Sequence, residues 1–413
     1  MTKKRVVVTG YGTVNPCGNS VEEFWNSLAT SKSGITNITS FDVSKYTTRF
    51  GGSIQNFQPE LYLDKKEIRR CSKFILYGYA AAIEAVKMSG LDIPSDAENI
   101  GVEIGSGIGG IDVLEKMTIE LHTKGPSRVS PFTVPMMIID MVSGFISIKT
   151  GAKGHNASSV SACASANHAM GNSFRLIQNG KANAIITGGA ESALCPIGLA
   201  SFCAAKSLSQ DNDNITTASK PFDLNRSGFV MGEGAGILIF EELEYAKARG
   251  ANILAEVIGF GSTGDAYHIT APAPEGEGAA RAIKEAIKDA GINANQIDYI
   301  NAHGTSTLKN DVNETKAIKS ALGDHAYKTK VSSTKSMTGH LLGAAAGIEM
   351  IASLLAIKHN KVPPTINYTT PDPECDLDYV PNKMQDAKVD IIMSNSLGFG
   401  GHNAIILAKR YTS

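Results

Sequence analysis

The sequence predicts a layered α/β protein built from two similar halves. Apolar strands that end in glycine turns alternate with helical patterns, and the same order of segments occurs twice along the 413 residues. Alternation of this kind is typical of sheets with helices packed on their faces. We expect the halves to span residues 1–250 and 251–413, with the functional site where they meet.

Four pairs of segments carry the duplication, and each pair joins a strand or glycine turn of one half with its counterpart in the other. These pairs are residues 5–12 and 254–261, 100–107 and 297–304, 158–163 and 330–335, and 232–240 and 400–407. Residues 108–150 and 192–230 have no counterpart of similar length. We therefore predict that these two insertions shape a pocket or an interface.

The composition is that of an ordinary globular protein, with 42% hydrophobic and 19% charged residues. A formal net charge of -1 gives no global attraction to nucleic acid or to an anionic membrane. The cysteines lack paired or metal-ligand spacing and no signal-peptide core precedes the first strand, so we expect a cytoplasmic protein. The apolar stretch 341–357 carries Glu349 in its middle, which predicts a buried core helix and no membrane span.

Cys163 lies in a run of small residues, 160–166, that leads into a helical pattern. Apolar residues such as Ala166 and Met170 follow a helical period until residues 179–180 stop it. Cys163 is therefore predicted at a helix N-terminus, where unpaired N–H groups and the helix dipole favour the nucleophilic thiolate. The alternative is a small buried cysteine that fills a tight strand-to-helix junction.

His303 and His340 occupy glycine-rich turns in the second half, each at the end of a strand or the start of a helix. A single histidine in such a turn is usually structural, but together with Cys163 the two form a chemically meaningful set. A thiolate can attack a thioester, backbone N–H groups can hold the oxyanion, and imidazoles can polarise a second carbonyl. The set therefore indicates covalent acyl transfer.

Glu349 is surrounded by apolar residues in its helix, and a buried carboxylate requires a cationic or hydrogen-bonding partner. Lys335 and His340 are the nearest candidates in the sequence pattern. The alternative is that Glu349 reaches solvent at the edge of the helix.

Two glycine-rich segments allow a second interpretation. Residues 105–110 match G-x-G-x-x-G after a strand, the pattern of dinucleotide-binding dehydrogenases. The strand before them repeats the one that ends in His303, so close backbone approach is favoured over pyrophosphate binding. Residues 394–403 place Phe399 among glycines, which predicts a loop that donates a backbone N–H and moves an aromatic gate. The alternative is a tight hairpin with Phe399 in the core.

A basic cluster at residues 65–70, extended by Lys73, is predicted on a helical face, and Lys206 is a further candidate. Runs of charge are usually solvated faces, yet an acidic protein partner would need such a patch.

These motifs resemble the β-ketoacyl-acyl-carrier-protein synthases of bacterial fatty-acid synthesis, most closely the type II elongating enzymes. The resemblance spans essentially the whole chain and rests on residues 161–165, 228–236, 301–307, 331–340 and 398–402. It implies a thiolase-like fold with duplicated α/β halves in a five-layered αβαβα arrangement. It also implies a homodimer in which residues 132–141 line the acyl pocket of the partner.

The implied reaction is a decarboxylative Claisen condensation of acyl-acyl-carrier protein with malonyl-acyl-carrier protein, which gives 3-oxoacyl-acyl-carrier protein and CO2. By resemblance, Cys163 takes the acyl chain, and its N–H and that of Phe399 form the oxyanion hole. His303 and His340 stabilise the enolate. Lys335 and Glu349 position and charge-balance the histidines.

The resemblance further assigns residues that contact substrate and carrier protein. Thr270, Thr305 and Thr307 are implied as contacts of the phosphopantetheine arm, and Ile108 and Phe202 as residues that line the acyl pocket. The implied carrier-protein patch consists of Lys66, Arg69, Arg70 and Lys206. No metal and no separate cofactor are expected, because phosphopantetheine arrives on the carrier protein. Residues 308–310 depart from the usual Pro and Gly of the family, which leaves the local loop shape open.

Two related functions remain open: a polyketide-type ketosynthase, and a non-catalytic partner subunit that sets chain length. The presence of Cys163 disfavours the second. A thiolase that uses coenzyme A should carry a second catalytic cysteine near the C-terminal glycine loop, where this chain has Phe399 and His402. A dehydrogenase would be revealed by nicotinamide binding.

Overall fold

The computed structural model describes residues 3–412, and within this range the chain forms fourteen strands and thirteen α-helices. The strands are β1 (Val6–Val14), β2 (Thr36–Asn37), β3 (Phe50–Gly51), β4 (Ile100–Gly105), β5 (Asn156–Ala157), β6 (Ala184–Glu191), β7 (Gly234–Glu242), β8 (Ala255–Gly264), β9 (Tyr299–Asn301), β10 (Lys330–Ser332), β11 (Lys361–Val362), β12 (Gln385–Asp386), β13 (Ile391–Gly398) and β14 (His402–Lys409).

The helices are α1 (Val21–Ala29), α2 (Lys65–Ile68), α3 (Lys73–Ser89), α4 (Ile111–Lys124), α5 (Thr133–Met137), α6 (Met141–Thr150), α7 (Ser165–Gln178), α8 (Pro196–Ala204), α9 (Leu243–Ala248), α10 (Glu277–Ala290), α11 (Leu308–Leu322), α12 (Lys335–Thr338) and α13 (Ala345–His359). Short 3-10 turns precede several of them, including Ala162–Ala164 before α7 and Leu342–Ala344 before α13.

The order of the strands confirms the duplication. The first half has the order β1-β7-β6-β4-β5 and the second half β8-β14-β13-β9-β10. In both halves the first two neighbour pairs are antiparallel and the last two are parallel. Three of the four segment pairs seen in the sequence contain equivalent strands: β1 and β8, β4 and β9, and β7 and β14. In the remaining pair, residues 330–335 contain β10, whereas residues 158–163 begin just after its counterpart β5.

The two halves are joined at one edge, because Val6–Val8 of β1 pair antiparallel with residues 255–257 of β8 and link all ten strands. Away from this edge the halves face each other across α7 and α13, which contact strands of both. Helix α3 covers the outer face of the first half, and α10, with α11 packed on it, covers that of the second.

Alternating side chains along the strands confirm these five layers. On β7, Leu238 and Phe240 pack into the core around α7 and α13, whereas Ile237 and Ile239 pack into the core beneath α3. Successive side chains of a strand point to opposite faces, so each half of the sheet has a buried core on both sides. The result is the αβαβα arrangement of a thiolase-like fold.

The central layer depends on close contact between backbone atoms. A Cβ added to Gly236 of β7 would lie 2.4 Å from the carbonyl carbon of Gly347 and from the nitrogen of Ile348 in α13. Only glycine allows a helix to approach a strand this closely. The stretch Leu342–His359 is long and apolar enough to cross a membrane, but 89% of it is buried inside the protein, so the predicted core helix is confirmed.

Both buried helices begin in the same way. Ala162 and Leu342 each adopt a φ of 51°, and each opens a 3-10 turn that continues into α7 or α13. Cys163 and Gly343 therefore occupy equivalent positions in the two halves. The sequence analysis had aligned Cys163 with residues 330–335, and this alignment is wrong because the equivalent turn lies at Leu342–Ala344.

The sequence analysis did not identify β6 and β13, the central strand of each half. The insertion at residues 108–150 contains α4, α5 and α6, and that at 192–230 contains α8. In the second half, a turn of only three residues between β13 and β14 takes the place of the second insertion. The predicted basic helix is also shorter than expected: α2 ends at Ile68, so Arg69 and Arg70 lie beyond it.

Candidate active site

A cavity of about 900 Å³ opens where the two halves meet. Its walls combine the ends of strands from both halves with residues of the two insertions. The residues predicted to act on the substrate lie together on these walls: Ile108, Cys163, Phe202, Thr270, His303, Thr305, Thr307, His340 and Phe399.

Cys163, His303 and His340 converge on one point of this cavity. The cysteine sulfur and one ring nitrogen of each histidine all lie within 4.8 Å of one another. The imidazole rings are 5.2 Å apart between centroids and almost perpendicular, at 85°. Three side chains from separate segments of the chain are thus placed to act on the same reacting atoms.

The backbone of His340 is held by the second insertion. Its N–H donates to the carbonyl of Val230 at 2.7 Å, and its carbonyl accepts from Gly232 at 2.8 Å. The ring of Phe229 packs edge-on against the imidazole at 5.4 Å. The motif at residues 228–236 therefore fixes the position of a histidine far from it in sequence.

Burial raises the pKa of the Cys163 thiol to about 12. The charge of Lys335 and the N–H groups of Phe399 and Cys163 lower this pKa, and the carboxylate of Glu191 raises it further. The expectation that the helix terminus favours the thiolate is therefore wrong for the resting site, where the sulfur carries its proton. The sequence pattern showed the helix terminus but not the depth of burial, and desolvation is the larger effect.

The turn after β13 presses against the cysteine turn. A Cβ on Gly398 would come within 2.7 Å of the Ser161 carbonyl oxygen and 3.3 Å of the Cys163 nitrogen. The segment is a tight hairpin, as the alternative interpretation held, but the Phe399 side chain is 37% exposed and lines the cavity. The N–H groups of Phe399 and Cys163 both lie near enough to the sulfur to lower the pKa of the thiol by hydrogen bonding. Donors in such a position can also hold a negative oxygen that forms beside the sulfur.

The hydrogen bond to His340 determines where its ring proton lies. The backbone N–H of Leu342 donates to Nδ1 at 3.3 Å, so Nδ1 carries no proton and the neutral ring is protonated at Nε2. Nε2 is buried without a hydrogen-bond partner. It is therefore a free donor for a substrate oxygen.

Both histidines are neutral. Burial and the positive charge of Lys335 hold the pKa of His303 and that of His340 well below the usual range. Lys335 donates to Glu349 at 2.5 Å, and both side chains are almost fully buried. Of the two partners considered for Glu349, Lys335 is the one it contacts.

Two acidic residues of α11 that the sequence analysis missed hold the turn after β9. Glu314 accepts the N–H groups of His303 and Gly304, each at 2.7 Å, and burial raises its pKa to about 7. Asp311 accepts the N–H groups of Thr305 at 3.0 Å and Ser306 at 3.1 Å. Their spacing could have revealed them, because Asp311 and Glu314 lie on the same buried face of the helix as Ile318 and Leu322. The loop at 308–310 is thereby resolved as the start of α11.

The glycine motif at residues 105–110 does not form an open phosphate site. The N–H groups of Gly107, Ile108 and Gly109 donate to the carboxylate of Glu191. An anion of the protein itself occupies the place that a pyrophosphate would need. The dehydrogenase interpretation is therefore not supported.

The basic residues divide into two groups. Lys206 lines the cavity, whereas Lys66, Arg69 and Arg70 are exposed on α2 and the turn after it, outside the cavity wall. The guanidinium of Arg70 stacks over the ring of Phe132 at 4.6 Å, which ties this surface to the first insertion.

One group of buried oxygens beside the ion pair could hold a cation. Within the described residues, three such atoms on neighbouring segments have no hydrogen-bond partner: Asn301 Oδ1, Glu349 Oε2 and Ser394 Oγ. Asn301 and Ser394 are paired residues of β9 and β13, and the Asn301 side chain donates to the backbone carbonyl of Glu349. Hard cations take oxygen ligands of this kind.

Two family profiles match the chain: "Beta-ketoacyl synthase, N-terminal domain" over residues 3–246 and "Beta-ketoacyl synthase, C-terminal domain" over residues 254–369. A relative from Synechocystis sp. named 3-oxoacyl-[acyl-carrier-protein] synthase 2 is 53% identical over 412 residues, which is 100% of this chain and 99% of the relative. A relative of the same name from Staphylococcus aureus is 54% identical over 409 residues, or 99% of each chain.

A solved structure with a similar fold is described as a type II PKS acyl-carrier protein in complex with its ketosynthase bound to the hexaketide. It superposes with a TM-score of 0.92 at 36% identity and covers 99% of this chain and 100% of that one.

We expect the variant Lys335→Met/Glu349→Gln to raise the pKa of both His303 and His340. Removing the lysine charge stabilises the imidazolium forms, because that charge now lowers both pKa values. Changing both partners avoids an unpaired buried carboxylate, which would cost about 3 to 5 kcal/mol. NMR titration of the histidine ring signals measures the effect, and Lys330→Met, which loses a half-buried ion pair with Asp378, is the control. Titration curves equal to those of the control would contradict the conclusion that the charge of Lys335 lowers the pKa of both histidines.

Proposed function

The chain belongs to the β-ketoacyl synthase family, and we propose that its cavity condenses an acyl-acyl-carrier protein with malonyl-acyl-carrier protein. The products are 3-oxoacyl-acyl-carrier protein and CO2, and the reaction elongates the chain in fatty-acid synthesis. The observation that carries this function is the convergence of one thiol, two neutral imidazoles and two backbone N–H groups on one point. The first half supplies the nucleophile and the second half supplies both histidines.

In the first step, the Cys163 sulfur attacks the carbonyl carbon of the acyl thioester. A new C–S bond forms while the bond to the phosphopantetheine sulfur breaks, and the cysteine proton leaves with the phosphopantetheine thiol. The N–H groups of Cys163 and Phe399 hold the negative oxygen that develops on the way. The acyl chain is then a thioester of the protein itself.

In the second step, malonyl-acyl-carrier protein enters the same cavity and loses CO2. The electrons of the broken C–C bond form an enolate, whose oxygen accepts a hydrogen bond from the Nε2–H of His340, with His303 on the other side. The enolate carbon then attacks the acyl carbonyl on Cys163, and the cysteine sulfur leaves as a thiolate that takes up one proton from water to restore the thiol. Neutral imidazoles suit this role because they donate hydrogen bonds without a fixed charge, and the Lys335–Glu349 pair maintains that state.

The substrate reaches the cysteine along the cavity walls. Thr305 and Thr307, whose hydroxyls lie 2.9 Å apart, and Thr270 contact the phosphopantetheine arm. Ile108 and Phe202 border the acyl chain. The chemistry needs no separate cofactor, because the thiol and the leaving CO2 supply all of its bonds and electrons.

The carrier protein docks on the exposed basic residues Lys66, Arg69 and Arg70, with Lys206 at the cavity. Surface cations of this kind attract an acidic partner and direct its arm to the opening. A ketosynthase of similar fold forms a complex with an acyl-carrier protein, which supports this partner.

A second copy of the chain is a further partner, since the first insertion exposes apolar side chains that a homodimer would bury. They are Leu114, Ile119, Leu121, Val134 and Ile148. Residues 132–141 then lie near the acyl pocket of the other subunit. All six cysteines are free, which supports a cytoplasmic location.

The two rival functions have less support. A polyketide-type ketosynthase shares the fold at 36% identity, below the 53–54% of the 3-oxoacyl-carrier-protein synthases. A non-catalytic subunit that only sets chain length would not require a cysteine placed beside two backbone N–H donors and two imidazoles. Incubation with acyl-carrier proteins of graded length and malonyl-carrier protein, followed by mass analysis of the protein and the products, distinguishes all three.

Cys163→Ala is expected to abolish acyl transfer and condensation while the histidines still decarboxylate malonyl-carrier protein. The change removes one thiol, and the imidazoles remain in place. Intact mass measures acylation of the protein and CO2 release measures decarboxylation, which should disappear after a further His340→Ala change. Cys375→Ala, at a buried cysteine outside the cavity wall, is the control. Normal condensation by Cys163→Ala would disprove the covalent mechanism.

Charge reversal at Arg69 and Arg70 is expected to raise KM for carrier-bound substrates more than for small thioester analogues. The attraction is screened over roughly 8 to 10 Å at moderate salt, so added salt should raise the wild-type KM for carrier-bound substrate as well. Steady-state kinetics with both substrate classes measure the effect, with Lys87→Glu on α3 as the control. Equal losses for both classes would mean that the cluster is structural.

Ile108→Phe is expected to exclude long acyl chains before short ones, because it adds volume to a packed wall at a typical cost of about 1 to 3 kcal/mol. Ile108→Val, the matched opposite change, should admit longer chains. The mass of the acyl group trapped on Cys163 across a series of chain lengths measures both. Identical length profiles in the two variants would place the acyl pocket elsewhere.

A further inference from the structure

Glu191 ends β6, and its carboxylate lies under the loop that follows β4. Five donors converge on it: Gly107 N at 2.6 Å, Ser106 Oγ at 3.0 Å, and Ile108 N, Gly109 N and Gly343 N at 3.2 Å each. The side chain is fully buried, and no described lysine or arginine pairs with it. The enzyme therefore holds one carboxylate in its interior with hydrogen bonds alone.

The nature of the partners determines the charge of this group. Four of the five are backbone N–H groups, which cannot accept a hydrogen bond. The proton of a neutral carboxylic acid would face these donors and lose a bond that the anion keeps. Glu191 is therefore held as an anion, although burial raises its pKa.

The five donors belong to two different parts of the active site. Gly107, Ile108 and Gly109 form the loop that carries the acyl-pocket side chain Ile108. Gly343 belongs to the other half and follows Leu342, whose N–H fixes the Nδ1 of His340. A single carboxylate thus ties the acyl pocket to the histidine turn.

The local backbone shows how tightly this contact is built. A Cβ on Gly343 would lie 2.2 Å from the nitrogen of Gly107 and 2.7 Å from Oε2 of Glu191. Leu342 has a φ of 51°, which a leucine rarely adopts, and hydrogen bonds on both sides hold it there. Without Glu191 nothing in this contact would secure the Gly343 N–H.

We propose that Glu191 is a positioning residue that holds the acyl-pocket loop and the His340 turn in one geometry and places a fixed negative charge near Cys163. The roles of Ile108 and His340 in this inference rest on the proposed function. The charged groups that face Cys163 are Glu191 and Lys335, and the neutral rings of His303 and His340 complete its surroundings. Glu191 lowers the reactivity of the resting thiol, and Lys335 opposes it.

Two substitutions separate the charge of Glu191 from its shape. Glu191→Gln keeps the size but removes the charge and turns an amide donor toward N–H donors. We expect alkylation of Cys163 by iodoacetamide, followed by peptide mass, to shift to lower pH by about one unit. We also expect the ratio of kcat/KM for long over short acyl-carrier substrates to change by about tenfold, as the Ile108 loop is released. Glu191→Asp keeps the charge but is too short to reach both loops, so it should change the length ratio and leave the alkylation profile near wild type.

Glu103→Gln is the matched control, because Glu103 is a buried carboxylate of β4 that accepts Ser159 and Asn172 away from the cavity. Wild-type behaviour of Glu191→Gln in both measurements would overturn the inference. If Glu191→Gln does not fold, Glu191→Asp and the milder Ser106→Ala test the inference instead. An unchanged ratio of kcat/KM for long over short acyl-carrier substrates in both variants would overturn it. Failure of the wild-type enzyme to acylate Cys163 would instead contradict the proposed function, and the alkylation profile would still test the charge of Glu191.

Discussion

Burial of ionisable groups is the constraint on which the rest of this active site depends. Cys163, His303, His340, Lys335 and Glu349 are all almost completely removed from water. In such surroundings a charge survives only with a partner, and a group without one becomes neutral. The thiol keeps its proton, both imidazoles stay uncharged, and the only opposite charges among these five form a direct pair.

The same constraint explains why backbone N–H groups recur around the cavity. Glu191, Asp311 and Glu314 are buried carboxylates, and each accepts N–H groups from a turn that carries a functional residue. These turns are irregular, and their N–H groups would otherwise lack partners in the interior. Each carboxylate therefore accepts hydrogen bonds from the N–H groups of a turn, and these hydrogen bonds in return stabilise the buried carboxylate. The functional side chains are held by hydrogen bonds rather than by packing alone.

Much of this site could be predicted from the sequence. His303 and His340 stand in glycine-rich turns and Cys163 in a run of small residues before a helix, and local pattern is enough to find them. The charge state of Cys163 could not be predicted, because the helix terminus is a local feature whereas burial depends on the whole fold. Glu191 and Glu314 were missed because the sequence does not distinguish a buried, hydrogen-bonded acid from an exposed one. The distinction depends on hydrogen-bond donors that the fold brings together. The strands β6 and β13 were missed because β6 has two glycines in its interior and β13 runs into the glycine turn at residues 398–401, and such residues are typical of loops.

The duplicated fold also explains how one cavity performs two different steps. Equivalent turns open α7 and α13, but one presents Cys163 and the other presents Gly343, whose missing side chain lets the two halves approach. In the proposed mechanism, the nucleophile and the histidine that stabilises the enolate thus come from neighbouring turns, which are in close contact. Because both acyl groups are delivered on long carrier arms, the reacting groups can lie deep in the cavity, where Cys163, His303 and His340 are almost completely buried. An acyl-cysteine in such a site meets the enolate before it meets water, which favours condensation over hydrolysis.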